Sequence, residues 1–505
     1  MGGGAREPTR IRRLVIVGGG TAGWMAAAAL TTFFGRRLEV ELVESEAIGI
    51  IGVGEATLPH LRFFIEKIGL DEAAFMRATN ATYKLGIQFV DWGRLGNSYF
   101  HPFGGFGTPL HAIRFHQCWR KFAHDPGVGS LQAFSLPIGM AAAGRFQVPA
   151  ADARQIESTF GYAYQFDATQ FAPLLRKHAI ARGARRTEGT VARVSLDGET
   201  GDIDALVLSD GRVVEGDFFI DCSGFRGLLI GEALGVRYED WSRWLPCDRA
   251  MAAPSRDDQP PVPYTRATAR EAGWQWRIPL QHRTGNGYVY SSAFTDDDSA
   301  RALLEQHVEG ELLAEPRMLR FTPGKRLRTW HRNCVAIGLA GGFLEPLEST
   351  SIYLIQRAIT DLIDLVPADV ADPPERDLYN AQMDHEFLRA RDFLILHYHA
   401  TERDDAALWN YVRGMPIPDS LAERIALFRA RGRAEPVTRG VFEEPSWLSV
   451  FYGQGIVAER YDQRVDLLPA EQLREELIAM RRKVEAAVAA MPRHIDYLHA
   501  AGRAA

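Results

Sequence analysis

Gly18, Gly20 and Gly23 stand in the spacing Gly-x-Gly-x-x-Gly, directly after the apolar run Leu14 to Val17 and directly before the alanine-rich stretch Ala26 to Leu30. In that context each glycine has its own use. Gly18 permits a tight turn, Gly20 lets the backbone approach a pyrophosphate, and Gly23 allows a helix to lie close on a strand. The free N–H groups of the helix start, with Thr21 and Ala22 in its first turn, attract the anion. Glu44 closes the next apolar strand, 21 residues past Gly23, where a carboxylate accepts hydrogen bonds from a ribose. A merely structural turn would need none of this order, so a dinucleotide site is the reading taken.

The loop by itself leaves NAD and FAD open. Gly52-Val53-Gly54-Glu55-Ala56 follows soon after Glu44, Asp221-Cys222-Ser223-Gly224 ends the strand Phe218 to Ile220, and Gly338 to Gly342 follows a strand ending at Ile337. Three glycine-rich strand ends, far apart in sequence, suit an elongated flavin nucleotide better than a compact nicotinamide site. FAD is the expected cofactor. Gly18, Gly20, Thr21, Ala22, Gly23, Glu44, Gly54, Glu55, Ala56, Gly338 and Leu347 are the residues expected to hold it. No redox cysteine pair and no second Rossmann fingerprint accompany them.

The elements that must position these residues follow from pattern. From Leu14 the order strand, glycine turn, helix, strand (Leu38 to Val43) opens a doubly wound sheet. Strand-like segments recur at Gly86 to Val90, Thr190 to Val194, Ala205 to Leu208, Phe218 to Ile220, Gly287 to Tyr290 and Cys334 to Ile337. Beyond about Leu378 the period becomes helical, over Tyr379 to His399 and Pro469 to Met491, where Leu473, Leu477, Met480 and Val484 recur at three- and four-residue spacing. The expected architecture is α/β: an FAD-binding Rossmann-like domain with an additional mixed sheet and a mainly helical C-terminal part covering the substrate. Its expected limits are a tail over 1–10, the FAD module over 11–375, the helical part over 376–495 and a tail over 496–505. Asp372 to Pro374 and Pro416 to Pro418 read as linkers.

Composition bounds the rest. At 505 residues, with 58 Lys+Arg against 64 Asp+Glu, a formal charge of -6, 46% hydrophobic and 24% charged residues, the chain is an ordinary globular protein of two or three structural units. The balance argues against a nucleic-acid binder. Cys118, Cys222, Cys247 and Cys334 are too few and too scattered for a disulfide scaffold, and no spacing suggests a metal site. Gly18 to Gly23 interrupt the only stretch that could pass for an export signal, and no apolar run is long enough to span a bilayer, so a cytoplasmic protein without membrane partners is expected.

Two further motifs carry a family resemblance. Trp274-Gln275-Trp276-Arg277-Ile278-Pro279 reads W-x-W-x-I-P, and Phe343-Leu344-Glu345-Pro346-Leu347-Glu348-Ser349-Thr350-Ser351 follows the third glycine cluster. With Gly52 to Thr57, Lys84, Phe89 to Trp92, His101-Pro102-Phe103 and the run Arg391 to Tyr398, the chain resembles the flavin-dependent halogenases of the tryptophan halogenase family over nearly its whole length.

The resemblance implies a reduced flavin, delivered by a separate flavin reductase, that reacts with oxygen to a flavin hydroperoxide. A halide, chloride or bromide, then attacks the distal oxygen, and the hypohalous acid travels through the protein to Lys84. A buried tunnel ending in an amine restricts where such an electrophile reacts, since free hypohalous acid would oxidise Met and Cys nearby. The resemblance further implies that Glu348 polarises the oxidant and accepts the ring proton, that Ser349 orients Lys84, and that backbone N–H groups of Thr350 and Ser351 hold the halide. The family usually has Gly at the position of Ser351, which tolerates positive φ and closer approach. Trp274 and Trp276 would bar the substrate from the flavin.

For the substrate, the resemblance implies an aromatic slot of His101, Phe103 and Trp447. Members acting on the free amino acid also clamp its charged groups with a Tyr-Tyr pair and a following Glu. Arg431 to Trp447 contains no such pair. The expected substrate is a small arene such as indole, halogenated at C3 in preference to free tryptophan; a homodimer is among the expected partners. Two other readings share the FAD site. A flavin monooxygenase would have no use for Lys84, and a noncatalytic redox sensor would show no halide-dependent turnover.

Overall fold

The computed structural model describes residues 11–47, 54–366, 374–434 and 440–503. The expected tail at 1–10, together with Gly52, lies outside the described residues. The first strand, Arg13–Val17, sits inside a six-stranded sheet ordered Trp330–His331, Cys334–Ala336, Phe218–Asp221, Arg13–Val17, Glu39–Glu44, Arg185–Glu188. The pairs Leu14 with Phe218, Arg13 with Glu39, Phe219 with Cys334 and Glu41 with Arg185 are parallel, and only Trp330–His331 runs antiparallel. Alternation along the first strand explains why both faces are covered: Leu14 and Ile16 enter the main core, while Val15 and Val17 pack with Phe219 and Leu206 in a second cluster.

An eight-stranded mixed sheet forms the second layer. It runs Glu311–Leu312, Arg249–Arg256, Thr284–Tyr290, Gly273–Pro279, Thr265–Arg270, Gly86–Val90, Ser98–Pro102, with Arg317–Arg320 paired to Arg249–Arg256. Thr265–Arg270 lies parallel to Gly86–Val90 and the other pairs are antiparallel. The W-x-W-x-I-P strand is therefore central, which its near-continuous burial requires. A small three-stranded sheet joins the two layers: Ala163–Asp167 pairs antiparallel with Gly54–Ala56 on one side and with Thr82–Lys84 on the other. Glu55 faces Phe166 and Lys84 faces Ala163 in these registers, so the Gly54–Ala56 strand and the lysine strand share one neighbour.

The C-terminal part is helical, as the periodicity predicts, and two expected boundaries move. The limit at 375/376 falls inside the first turn of the helix Pro374–His399, whose length carries it from the surface to the centre. The segment 496–505 is not a free tail: the helix His494–Arg503 runs through most of it, Leu498 is buried, and Tyr497 packs edge-on against Tyr83 at 5.6 Å. His494 itself receives the backbone N–H of Tyr83 at 3.3 Å, so the last helix is fastened beside the Lys84 strand. Among the described residues no helix is long and apolar enough to cross a membrane.

Candidate active site

The glycine loop has the form its sequence dictates. Gly18 has φ +112°, and a Cβ there would lie 2.2 Å from the carbonyl oxygen of Cys222. A Cβ on Gly23 would meet Gly18 O at 1.9 Å, which is the close helix-on-strand approach. Gly20 differs: its backbone is extended, no side chain caps the helix, and nothing lies within 4 Å of where its Cβ would be. The first intrahelical bond, Trp24 N–H to Gly20 O at 3.1 Å, leaves the N–H groups of Thr21, Ala22 and Gly23 at the open end of the 14-residue helix. Glu44 leans over this loop. Its Oε2 accepts from the Trp24 indole at 3.2 Å and its Oε1 from Arg186 at 2.5 Å, and each oxygen keeps a second lone pair. Gly338, at φ +73°, would place a Cβ 2.9 Å from the methyl of Ala22, bringing the third glycine cluster to the same helix. Open space over Gly20, uncapped amides and a poised carboxylate fit a dinucleotide pyrophosphate and ribose.

Lys84 lies at the end of the short strand Thr82–Lys84 and has 0% exposure. Its Nζ donates to the carbonyl of Thr57 at 3.1 Å and to Ser349 Oγ at 2.9 Å, and it stands 5.2 Å over the ring of Phe103. Thr57 directly follows the strand Gly54–Ala56, and Ser349 directly precedes the helix Thr350–Leu365. The amine is thus tied to the ends of two segments expected to hold the cofactor and the halide. Burial pushes Lys84 down to about 7, against the opposing pull of Glu348 and Glu55. Burial likewise pushes Glu55 up to about 7, with Lys84 pulling the other way.

The turn before the helix is made from residues that rarely adopt its conformation. Glu348 has φ 65° and Ser349 φ 58°, both in the left-handed region where a Cβ costs about 1–3 kcal/mol. Neither is glycine because both side chains are occupied: Ser349 on Lys84, Glu348 on two histidines. His101 Nδ1 lies 2.6 Å from Glu348 Oε2, and His397 Nε2 lies 2.8 Å from Oε1 in a bent contact. Burial alone would raise the Glu348 carboxyl, but the two imidazoles overcome it and hold the group at about 2. Because Ser349 spends its hydroxyl on Lys84, it does not cap the helix, and the N–H groups of Thr350 and Ser351 are left at an uncapped N-terminus. The Thr350 hydroxyl is buried without a hydrogen-bond partner. Ser351 is in the helix and has no positive φ, so the conformational need for glycine falls two residues earlier than the sequence comparison suggests.

Around His101 the aromatic wall differs from the expected one. Phe103 is near, at 6.4 Å between ring centroids, but the other neighbours are Phe393 at 5.7 Å and Phe442 at 6.1 Å, themselves stacked at 3.9 Å. Trp447 stands behind Phe393, at 5.0 Å, with Arg424 4.2 Å over its ring. Trp447 therefore backs the wall, and Phe393 and Phe442 are the rings that sequence reasoning missed. Trp274 and Trp276 are both buried, with ring centroids 6.1 Å apart, and the Trp274 indole acts on the buried Glu345 carboxyl. Trp276 covers Gly287, where a Cβ would come within 2.0 Å of its ring. Ile278 lies 3.5 Å from where a Gly54 Cβ would be, and the carbonyl of Pro279 accepts from Thr82 Oγ1 at 2.7 Å. The motif thus abuts both the Gly54–Ala56 strand and the lysine strand.

His397 and Glu345 were also missed as individual residues. His397 is placed by the helix Pro374–His399, where its Nδ1 reaches the carbonyl of Phe393 one turn back at 2.8 Å. Glu345 accepts from Tyr398 at 2.9 Å, and burial pushes it up to about 7. A His-Tyr pair directly after the apolar run Phe393 to Leu396 is the available signal. Among the described residues no group of three or more His, Cys, Asp or Glu could hold a metal ion.

The comparisons with known proteins agree with this geometry. The family model for tryptophan halogenase matches residues 13–470. A flavin-dependent halogenase from Xanthomonas campestris, Xcc4156, superposes with a TM-score of 0.94 at 48% identity, covering 97% of this chain and 98% of its own. BrvH, a flavin-dependent halogenase from Brevundimonas sp. BAL3, gives 0.93 at 46%, with 97% and 99% covered. The 7-chloro-L-tryptophan 6-halogenase KtzR of Kutzneria sp. (strain 744) is 36% identical over 518 residues, 96% of this chain and 98% of that protein. With a nucleotide loop at one end and a buried lysine beside a carboxylate at the other, the chain belongs to the tryptophan halogenase family of flavin-dependent halogenases.

Proposed function

We propose that this halogenase uses FAD, reduced by a separate flavin reductase, with oxygen and chloride or bromide, to halogenate small electron-rich arenes such as indole through Lys84. The observation that carries the reading is a fully buried primary amine held by Thr57 and Ser349 beside an ionised Glu348. When bound, the reduced flavin supplies, with oxygen and halide, the oxidised halogen. Gly18, Gly20, Thr21, Ala22, Gly23, Glu44, Gly54, Glu55, Ala56, Gly338 and Leu347 hold the nucleotide, and the amides of Thr350 and Ser351 hold the halide.

At the other end the chain's own groups act. The lone pair of Lys84 takes the halogen from hypohalous acid, so that an N–halogen bond forms, the O–halogen bond breaks and water leaves with one amine proton. Ring carbon then takes the halogen, the bonding pair returns to nitrogen, and Glu348 accepts the ring proton and gives it back to the amine. Phe103, Phe393 and Phe442 with His101 stack the arene and keep water from the transfer. Trp274 and Trp276 bar it from the flavin. Arg431 to Trp447 has no Tyr-Tyr clamp for an amino acid, which favours indole, reacting at its most nucleophilic carbon, C3.

Reduced FAD, oxygen and bromide supplied with indole test the reading. Wild type is expected to give 3-bromoindole faster than any brominated tryptophan, and Lys84→Ala none. Hydroxylated indole from both proteins would favour a monooxygenase instead, and clean halogenation of tryptophan on its benzene ring would overturn the substrate assignment.

A further inference from the structure

The polar groups around Lys84 and Glu348 fix where the protons of the resting site reside. Lys84 Nζ has two hydrogen-bond partners, the Thr57 carbonyl and Ser349 Oγ, and it is fully buried. A neutral amine has two N–H groups and one lone pair, which matches this environment; an ammonium has three N–H groups and would leave one unmet. Glu348 does not supply the third partner: the groups that Lys84 Nζ reaches are Thr57 and Ser349, and the Glu348 oxygens are turned to His101 and His397.

His101 needs one proton for its contact, on Nδ1, and the neutral tautomer provides it. His397 needs two. Its Nδ1 faces the carbonyl of Phe393, which can only accept, so Nδ1 carries hydrogen. Its Nε2 lies 2.8 Å from Glu348 Oε1 in a contact too bent for a hydrogen bond, so what the two atoms exchange is charge: a protonated nitrogen is attracted to the carboxylate there, and a bare lone pair is repelled by it. Around His397 the remaining neighbours are the rings of Phe89 at 4.8 Å, Phe393 at 4.9 Å and Trp92 at 6.0 Å, none of them a charge.

We infer that His397 is the resident counter-cation of Glu348: held as an imidazolium, it takes up the charge of the carboxylate, so that Lys84 rests as a neutral amine with its lone pair free for the oxidised halogen. His397 is on this view a positioning residue acting through Glu348. The depressed titration of Glu348 and of Lys84 agrees with that arrangement. A carboxylate left without its imidazolium would draw a proton onto the lysine, and an ammonium has no lone pair to offer.

The inference rests on the proposed role of Lys84, but its test does not need turnover. The chain has six lysines, Lys67, Lys84, Lys121, Lys177, Lys325 and Lys483, so side-chain NMR of 13C-lysine protein can follow Lys84 alone, assigned by Lys84→Met. The charged groups facing it are Glu348 from the turn before the helix and Glu55 from the strand Gly54–Ala56. Tyr99, on the neighbouring strand, lies within reach of Glu348 and has its hydroxyl on Gln454 at 3.0 Å. In wild type the Lys84 midpoint is expected near 7. In His397→Gln, which keeps a donor toward Glu348 but carries no charge, and in His397→Phe, it is expected to rise by about one unit or more, a tenfold loss of amine near neutrality. Adding Glu348→Gln to His397→Gln removes both charges and should return the midpoint toward the wild-type value. An unchanged midpoint in folded His397→Gln would overturn the inference, as would a rise that the double variant leaves in place, which marks a structural effect. Failure of the wild type to brominate indole would instead overturn the halogenation reading and leave this titration standing.

Discussion

Lys84 Nζ and Ser349 Oγ, 265 residues apart in sequence, meet at 2.9 Å in the buried centre of the protein. This bond links the strand that ends in the amine to the turn that begins the helix Thr350–Leu365. It also explains why that helix lacks a side-chain cap. Removing the hydroxyl in Ser349→Ala leaves a buried N–H without a partner, a loss of about 1–3 kcal/mol. The expected outcome is a tenfold to hundredfold fall, in round terms, in the rate of indole bromination measured by chromatography, with flavin affinity unchanged.

The same residue separates hydroxyl from backbone. Ser349 is at φ 58°, where glycine is favoured over alanine by about 1 kcal/mol. Ser349→Gly should therefore unfold at a higher temperature than Ser349→Ala, while both lose activity alike. Equal melting temperatures would mean that the turn relaxes and stores no strain.

Glu348 is the group expected to accept the ring proton, and Glu348→Gln keeps its shape without its basicity. Halogenation should fall by about 10²- to 10⁴-fold. Indole deuterated at C3 should then react measurably slower than protiated indole in the variant, since proton removal has become limiting. An unchanged isotope ratio would place proton removal elsewhere.

Gly18 and Gly20 should respond in opposite ways to alanine. At Gly18 the added Cβ meets the Cys222 carbonyl at 2.2 Å with φ +112°, and the fold should lose about 3 kcal/mol or more. At Gly20 there is open space and an ordinary extended backbone, so Gly20→Ala should melt like wild type without flavin yet bind FAD about tenfold more weakly. Calorimetry and flavin titration on the two variants read these effects separately.

Stability should depend on pH through Lys84. Its pKa falls from 10.5 in the unfolded chain to about 7 in the fold. Between those values the unfolded state binds the extra proton, so stability rises with pH across the window. Lys84→Met removes a buried amine that is costly when protonated, and should melt several degrees above wild type at pH 7. That advantage should shrink toward pH 10. For Glu348 the slope has the same sign at lower pH: its pKa also falls, to about 2, so its stabilising contribution is present above the unfolded value of 4.5 and is lost as pH drops toward 2.

The sequence by itself determined the parts whose physics is local. A tight turn that only glycine can make, a helix that must lie on a strand and an acid at the end of the next strand are written within some thirty consecutive residues, and the structure keeps them in that order. Helical periodicity likewise marked Tyr379 to His399 and Pro469 to Met491, where the structure has the helices Pro374–His399 and Ala470–Ala490; in the second, Leu473, Leu477 and Val484 are buried on one face at that spacing. What only the tertiary structure decided is which distant groups share a proton or a ring face. Nothing near Glu348 in sequence indicates that His101 and His397 take its two oxygens, and nothing near His101 indicates that Phe393 and Phe442 displace Trp447 from its side. The His494–Arg503 helix reads as a tail until its contacts with Tyr83 are seen. Hydrogen bonds and ring contacts act over a few ångströms of space, and separation along the chain carries no record of them.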